Sequence, residues 1–280
     1  MNGNLTLGYS PCPNDTFIFY ALVHGLIPMG STRVKERLED VETLNRLALR
    51  GSLDLTKISY HALGHLRSDY ALLRSGSALG RGCGPLVVAS KKSGMETLRG
   101  KRVAVPGLLT TSNLLLQLFG EGYDNLLVLP FDRIMEAVTR GDADAGVIIH
   151  ESRFTYRERG LFLVQDLGEW WEEETGLPLP LGGILARRSL GPDLIGSIDQ
   201  ALRSSIEFAF SHPQEPLSYI KKHSQELEDS VINQHIGLYV NDFSLDLGEE
   251  GLRAVETLLS RAETRGLIPR CGLPLGPVKL

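Results

Sequence analysis

The chain has 280 residues, 42% of them apolar and 22% charged, with a net charge of -5, the profile of a globular protein large enough for about two domains. That balance, with Lys and Arg scattered along the chain, gives nucleic acid no basic face, and no apolar run reaches the roughly 20 residues that cross a bilayer. Three widely spaced cysteines read as free thiols, and an N-terminus without the basic and apolar regions of a secretory signal predicts a cytoplasmic protein.

Leu5 to Ser10 alternates like a strand and runs into the rigid turn Pro11-Cys-Pro-Asn-Asp15. A helix is expected from about Thr16 to His24, with Asn14 or Asp15 as its N-cap and Gly25 as its stop. Asn14 and Asp15 are also candidates for holding ligand hydroxyls. A pattern follows that occurs twice: a helix, Arg-Gly-x-x-Asp, and an apolar strand. Its first copy carries Arg50-Gly51 and Asp54 and ends at Lys57, Ile58 and Ser59; its second carries Arg140-Gly141 and Asp144 and ends at His150. Open α/β sheets present ligand contacts just past the carboxyl ends of their strands, so two such units predict one cleft lined from both sides.

Lys57 is expected to meet a ligand carboxylate or a neighbouring acid. His61 and His65 have the i, i+4 spacing that metal sites use, but the Glu of a His-Glu-x-x-His motif is missing and Gly64 weakens the helix, so no metal is assigned. Strands are expected at 70–74 and 85–90 around the loop Ser75 to Gly84, whose glycines precede a strand and so lack the dinucleotide-binding context. Cys12, between two prolines, is read as a packed thiol.

Arg102 to Pro106 reads as a strand, followed by the turn Gly107-Leu108-Leu109-Thr110-Thr111-Ser112 and a helix to about Phe119. Small hydroxyl residues at a helix start favour an anion, here a carboxylate or phosphate. His150 ends an otherwise apolar strand, where an imidazole serves either as a general base or as a core histidine bonded to backbone. Arg153, Tyr156, Arg157 and Arg159 are expected on a solvated loop face. Residues 176–183 read as a crossover, the chain after Asp193 as mostly helical, and the tail after Gly266 as loosely ordered. The order of elements predicts a larger discontinuous α/β domain, 1–100 with 181–280, and a smaller inserted α/β domain, 101–180.

Four blocks, Leu7-Gly-Tyr-Ser-Pro-Cys-Pro-Asn-Asp-Thr-Phe-Ile-Phe-Tyr-Ala-Leu-Val-His-Gly25, Leu38 to Asn45, Ala78 to Val88, and Gly146-Val-Ile-Ile-His-Glu-Ser-Arg-Phe-Thr-Tyr156, closely resemble the 1,4-dihydroxy-6-naphthoate synthase family of menaquinone biosynthesis by the futalosine pathway. The likeness runs from about residue 5 to 250. It implies a type II periplasmic-binding-protein-like fold, with three-layer α/β/α lobes around a central cleft, used as an enzyme without metal or organic cofactor. It further implies a carbon-carbon lyase whose small carboxylate-bearing substrate is cyclic de-hypoxanthine futalosine. In that family the histidine of Ile-Ile-His-Glu-Ser is the proposed proton acceptor, which falls on His150. Substrate contacts fall on Lys57 to Ser59 and on Thr110, Thr111 and Ser112, although Leu108 and Leu109 before them are more apolar than the family pattern. The alternatives are a chorismate dehydratase-like sibling, which the His150 motif and the Pro-Cys-Pro opening disfavour, and a non-catalytic binding protein for small carboxylates. No nucleic-acid or membrane partner is expected, and no oligomeric state is assigned.

Overall fold

The structure, a computed structural model, describes residues 4–150, 152–224 and 228–277. The strands are β1 (Asn4–Tyr9), β2 (Arg33–Leu38), β3 (Leu55–Ser59), β4 (Tyr70–Leu72), β5 (Ala78–Gly80), β6 (Leu86–Ala89), β7 (Val103–Val105), β8 (Leu126–Val128), β9 (Ala145–Ile148), β10 (Phe162–Asp166) and β11 (Leu179–Arg187). The helices are α1 (Pro13–Val23), α2 (Val41–Leu49), α3 (Tyr60–Leu66), α4 (Thr111–Phe119), α5 (Ile134–Arg140), α6 (Ser152–Thr155), α7 (Leu167–Thr175), α8 (Pro192–Ser211), α9 (Leu217–His223), α10 (Asp229–Tyr239), α11 (Asp242–Leu245) and α12 (Gly248–Thr264).

Two sheets organise these elements. The first runs β2-β1-β3-β11-β4, with β5 also paired to β11; the second runs β10-β6-β9-β7-β8. In each, two parallel pairs carry the repeated units, β2-β1-β3 in the first and β9-β7-β8 in the second. Gly51 and Gly141 take φ of +61° and +81°, the left-handed conformation that ends a helix and that glycine adopts without a steric penalty. Apolar side chains from both sheets meet the flanking helices in buried clusters, with Ile58, Leu63, Leu115 and Trp171 in one and Leu7, Phe19, Leu202 and Ile206 in another. This is the α/β architecture of two three-layer lobes.

The sheets place the first passage between lobes in Arg81–Pro85, not near 100, because β6 joins the second sheet. Leu86 to Ala89 is apolar on both faces and reads the same in either sheet, so only pairing with β9 decides its place. Residues 176–183 divide: 176–178 lie on the return from the second sheet to the first, and from Leu179 the chain forms β11, antiparallel to β3 and β4 in the middle of the first sheet. Pro180 is tolerated there because the register with β5 shifts between Pro180 and Gly182, and Gly182 is required because a Cβ would stand 2.5 Å from the Ile58 carbonyl oxygen.

Two other expectations fail at the ends of elements. Helix α1 begins at Pro13, whose fixed φ suits the first helical position, so its N-cap is Cys12, which makes no side-chain cap bond. Asn14 and Asp15 therefore lie inside the first turn, both buried. The tail after Gly266 is held rather than loose: Leu72 N–H donates to Leu275 O at 2.8 Å, Arg188 donates to Gly276 O at 2.9 Å, and Ile268 packs over Gly64, where a Cβ would collide with it.

Candidate active site

The carboxyl ends of β1, β3, β7 and β9 converge on a cavity that, with the open solvent at its mouth, holds about 670 Å³ of empty space. Asn14, Asp15, Lys57, Ile58, Ser59, Thr110, Thr111, Ser112 and His150 all line it, so the residues singled out at the three strand-to-helix turns and past β9 share one space. Cys83, Pro85, Leu181 and Tyr239 supply apolar walls. A second cavity, also open to solvent, adjoins the first and shares Ser10, Val41, Ile149 and His150 with it. A larger share of its exposed surface is polar than in the first, where most polar groups are bonded to one another, and Asp40, Asp132 and Ser224 stand on its walls. His150 thus stands at the junction.

One side of the first cavity is a closed polar network. Lys57 Nζ lies 2.9 Å from Asp15 Oδ1, both side chains being buried, so the lysine meets an acid of its own chain. Asp15 also accepts from the Ser10 hydroxyl at 2.7 Å, the Ser10 N–H at 3.2 Å and the Asn14 amide nitrogen at 2.8 Å. Asn14 in turn faces His235 Nε2 at 2.9 Å. Ser59 is fixed through its N–H to Asn45 Oδ1, 2.9 Å, and by the Asn45 amide nitrogen at 3.2 Å from its hydroxyl. These bonds join Asn14, Asp15 and Lys57 to one another along the wall.

On the opposite lobe, α4 opens the cavity with a helix N-terminus. Thr110 caps it: its hydroxyl donates to Gly107 O at 2.7 Å and accepts from Asn113 N–H at 3.3 Å. The Thr111 hydroxyl donates to Leu181 O at 2.6 Å, which ties α4 to β11. The Ser112 hydroxyl lies 2.9 Å from Thr110 Oγ1, a bond it can exchange for another acceptor without disturbing the cap. The N–H groups of Thr111 and Ser112 belong to the first turn, which has no intrahelical acceptors for them. Positive potential therefore collects where Ser112 meets the cavity.

His150 does not end β9, which stops at Ile148. Its φ of +56° makes it the one non-glycine residue in the left-handed region among the described residues. That conformation takes the ring off the alternating faces of the strand and turns it toward the cleft. There it is half-buried between the ring of Phe131, met edge-on at 5.1 Å, and the ring of His235, stacked at 5.8 Å with 7° between planes. The side chain is therefore not packed in the core, and it lines both cavities. Glu151, next in the motif, lies outside the described residues.

His235 carries no motif in the sequence. It sits among Ile232, Ile236 and Tyr239 on α10, a pattern identical to that of an ordinary core histidine. Burial, then the proximity of His150 and Lys57, holds its pKa well below the usual histidine value.

Other candidates fall away from the chemistry. His61 bonds the Thr110 carbonyl at 3.3 Å, and its ring lies 5.7 Å from that of His65; no cluster of three metal-ligating side chains occurs among the described residues. The Cys83 thiol is pushed up to about 12 by burial, which makes it a wall and not a nucleophile. Arg153 and Tyr156 are not on a solvated face. Arg153 pairs with Asp166 at 2.8 Å and bonds Gly84 O, locking the passage between lobes, and Tyr156 is buried against Leu86, Val88 and Ile148.

Comparison with known proteins shows the family and the fold. A family model described as menaquinone biosynthesis matches residues 5–264. A protein of Thermus thermophilus named 1,4-dihydroxy-6-naphthoate synthase is 56% identical over 271 residues, covering 97% of this chain and 98% of its own. One of the same name from Streptomyces coelicolor is 46% identical over 273 residues, covering 96% of each. An alkanesulfonate-binding protein of Xanthomonas axonopodis, solved with MOPS bound, shares the fold with a TM-score of 0.73 over 95% of this chain and 94% of its own, at 15% identity. No helix among the described residues is long and apolar enough to cross a membrane.

Proposed function

Because this chain belongs to the menaquinone biosynthesis family, we propose that it is a 1,4-dihydroxy-6-naphthoate synthase, a cytoplasmic lyase that cleaves cyclic de-hypoxanthine futalosine. The observation that carries the reading is the placement of His150 at the junction of two cavities, one mostly apolar and one more polar. The substrate has two corresponding parts, a carboxylated carbocycle and a sugar-derived fragment. The carbocycle lies in the first cavity, with its carboxylate at the start of α4; the sugar-derived part lies in the second.

Lys57 is committed to Asp15, so the carboxylate is held by the N–H groups of Thr111 and Ser112 and by the Ser112 hydroxyl. Thr110 and Thr111 use their own hydroxyls to build that helix start, and Ile58 and Ser59 shape the floor beneath the ring. His150 removes a proton from the carbocycle, the carbon-carbon bond to the sugar-derived part breaks, and the ring aromatises. The proton taken up by His150 passes to the departing fragment, so the site ends as it began. Aromatisation supplies the driving force, and the protein contributes position and charge complementarity.

Incubation of the protein with cyclic de-hypoxanthine futalosine tests the reading. Appearance of naphthoate absorbance supports it, and substrate recovered unchanged would assign the chain to the binding proteins whose fold it shares. Its identity to the named synthases, against 15% to the sulfonate binder, weighs against that second reading and against a chorismate dehydratase.

A further inference from the structure

Hydrogen bonding fixes the state of the His235 ring. The Asp15 carboxylate can only accept, so the atom of Asn14 that meets it at 2.8 Å is the amide nitrogen. The Asn14 amide oxygen therefore faces His235 and accepts from Nε2–H at 2.9 Å. A neutral imidazole has one N–H, so Nδ1 carries a lone pair, and that atom has no hydrogen-bond partner among the described residues. A proton added there would bury a second donor with nothing to accept it, near the Lys57 ammonium. The ring is 1% exposed and locked at one end, yet its face is parallel within 7° to that of His150.

The left-handed backbone of His150 takes it out of the sheet, and Phe131 meets its ring edge-on. We propose that His235 is a positioning residue, whose flat ring, held by Asn14, sets the orientation in which the His150 imidazole takes the substrate proton. A neutral aromatic face also accommodates the positive charge that His150 gains in that step. The inference rests on the reading of His150 as the base.

The test separates the ring from its hydrogen bond. His235→Phe keeps a flat face but gives Asn14 no donor; His235→Gln keeps a donor for Asn14 but has no ring. If the ring positions His150, the Gln variant loses roughly 10- to 100-fold in kcat at unchanged KM, and the Phe variant keeps most of the wild-type kcat. A merely structural role gives the reverse, since Gln preserves the bond. Wild-type kcat in the Gln variant, equal loss in two folded variants, or a loss confined to KM would overturn the proposal. Should His235→Phe fail to melt cooperatively, His235→Gln decides alone by its kcat. His150→Ala assayed alongside distinguishes the two levels: if it turns over like wild type, the base assignment falls; if it is inactive while His235→Gln is normal, only this inference falls.

Discussion

Lys57 Nζ and Asp15 Oδ1 stand 2.9 Å apart at the base of the cleft, with 7% and 1% of their side chains exposed. A pair so buried does more harm half-removed than replaced outright, because the survivor is an uncompensated charge. Lys57→Met is expected to destabilise the protein by about 3–5 kcal/mol, and Lys57→Met combined with Asp15→Asn by less than Lys57→Met alone. Urea midpoints for the single and double variants check this; additive losses would mean that the pair is not coupled.

The hydroxyls at the start of α4 should separate into different effects. Thr110→Ala removes a cap that accepts from Asn113 N–H and is expected to cost about 1 kcal/mol in urea unfolding. Ser112→Ala leaves the cap in place and is expected to raise KM about tenfold or more without moving the urea midpoint. Steady-state kinetics and unfolding on the same preparations show whether the two readouts divide this way.

His61 makes stability fall in mild acid. Burial pushes its pKa down to about 4 from the ordinary value of 6.5, so the unfolded chain takes up the proton first. The contribution is intact above pH 6.5 and is lost as pH falls toward 4, by about 3 kcal/mol in full. His61→Phe lacks that proton, so the stability difference between wild type and variant should shrink over this window. A difference constant with pH would show that His61 does not titrate differently in the two states.

The parts of this architecture set by local chemistry are visible in the sequence. Gly51 and Gly141 announce helix ends, Thr110 announces a helix start, and the residues beyond β1, β3, β7 and β9 lie where open α/β sheets put their ligands. The parts set by pairing at a distance are not. β6 could belong to either sheet by composition, β11 hides behind Pro178, Pro180 and two glycines, and the tail looks loose until Arg67 and Arg188 bind its carbonyls. Lys57 ends an apolar strand whether it meets a ligand or Asp15, and no spacing distinguishes the two. His235 is the clearest case: on α10 it is one more residue of a buried face, and it gains meaning only when folding stacks it on His150.

The assignment of His150 as the base is tested most directly by the rate of naphthoate formation from cyclic de-hypoxanthine futalosine in His150→Ala, measured under saturating substrate. A general base of this kind contributes roughly 100- to 10,000-fold, so the variant should lose that much in kcat while melting cooperatively and still binding the product. Wild-type turnover by a folded His150→Ala protein would contradict the account.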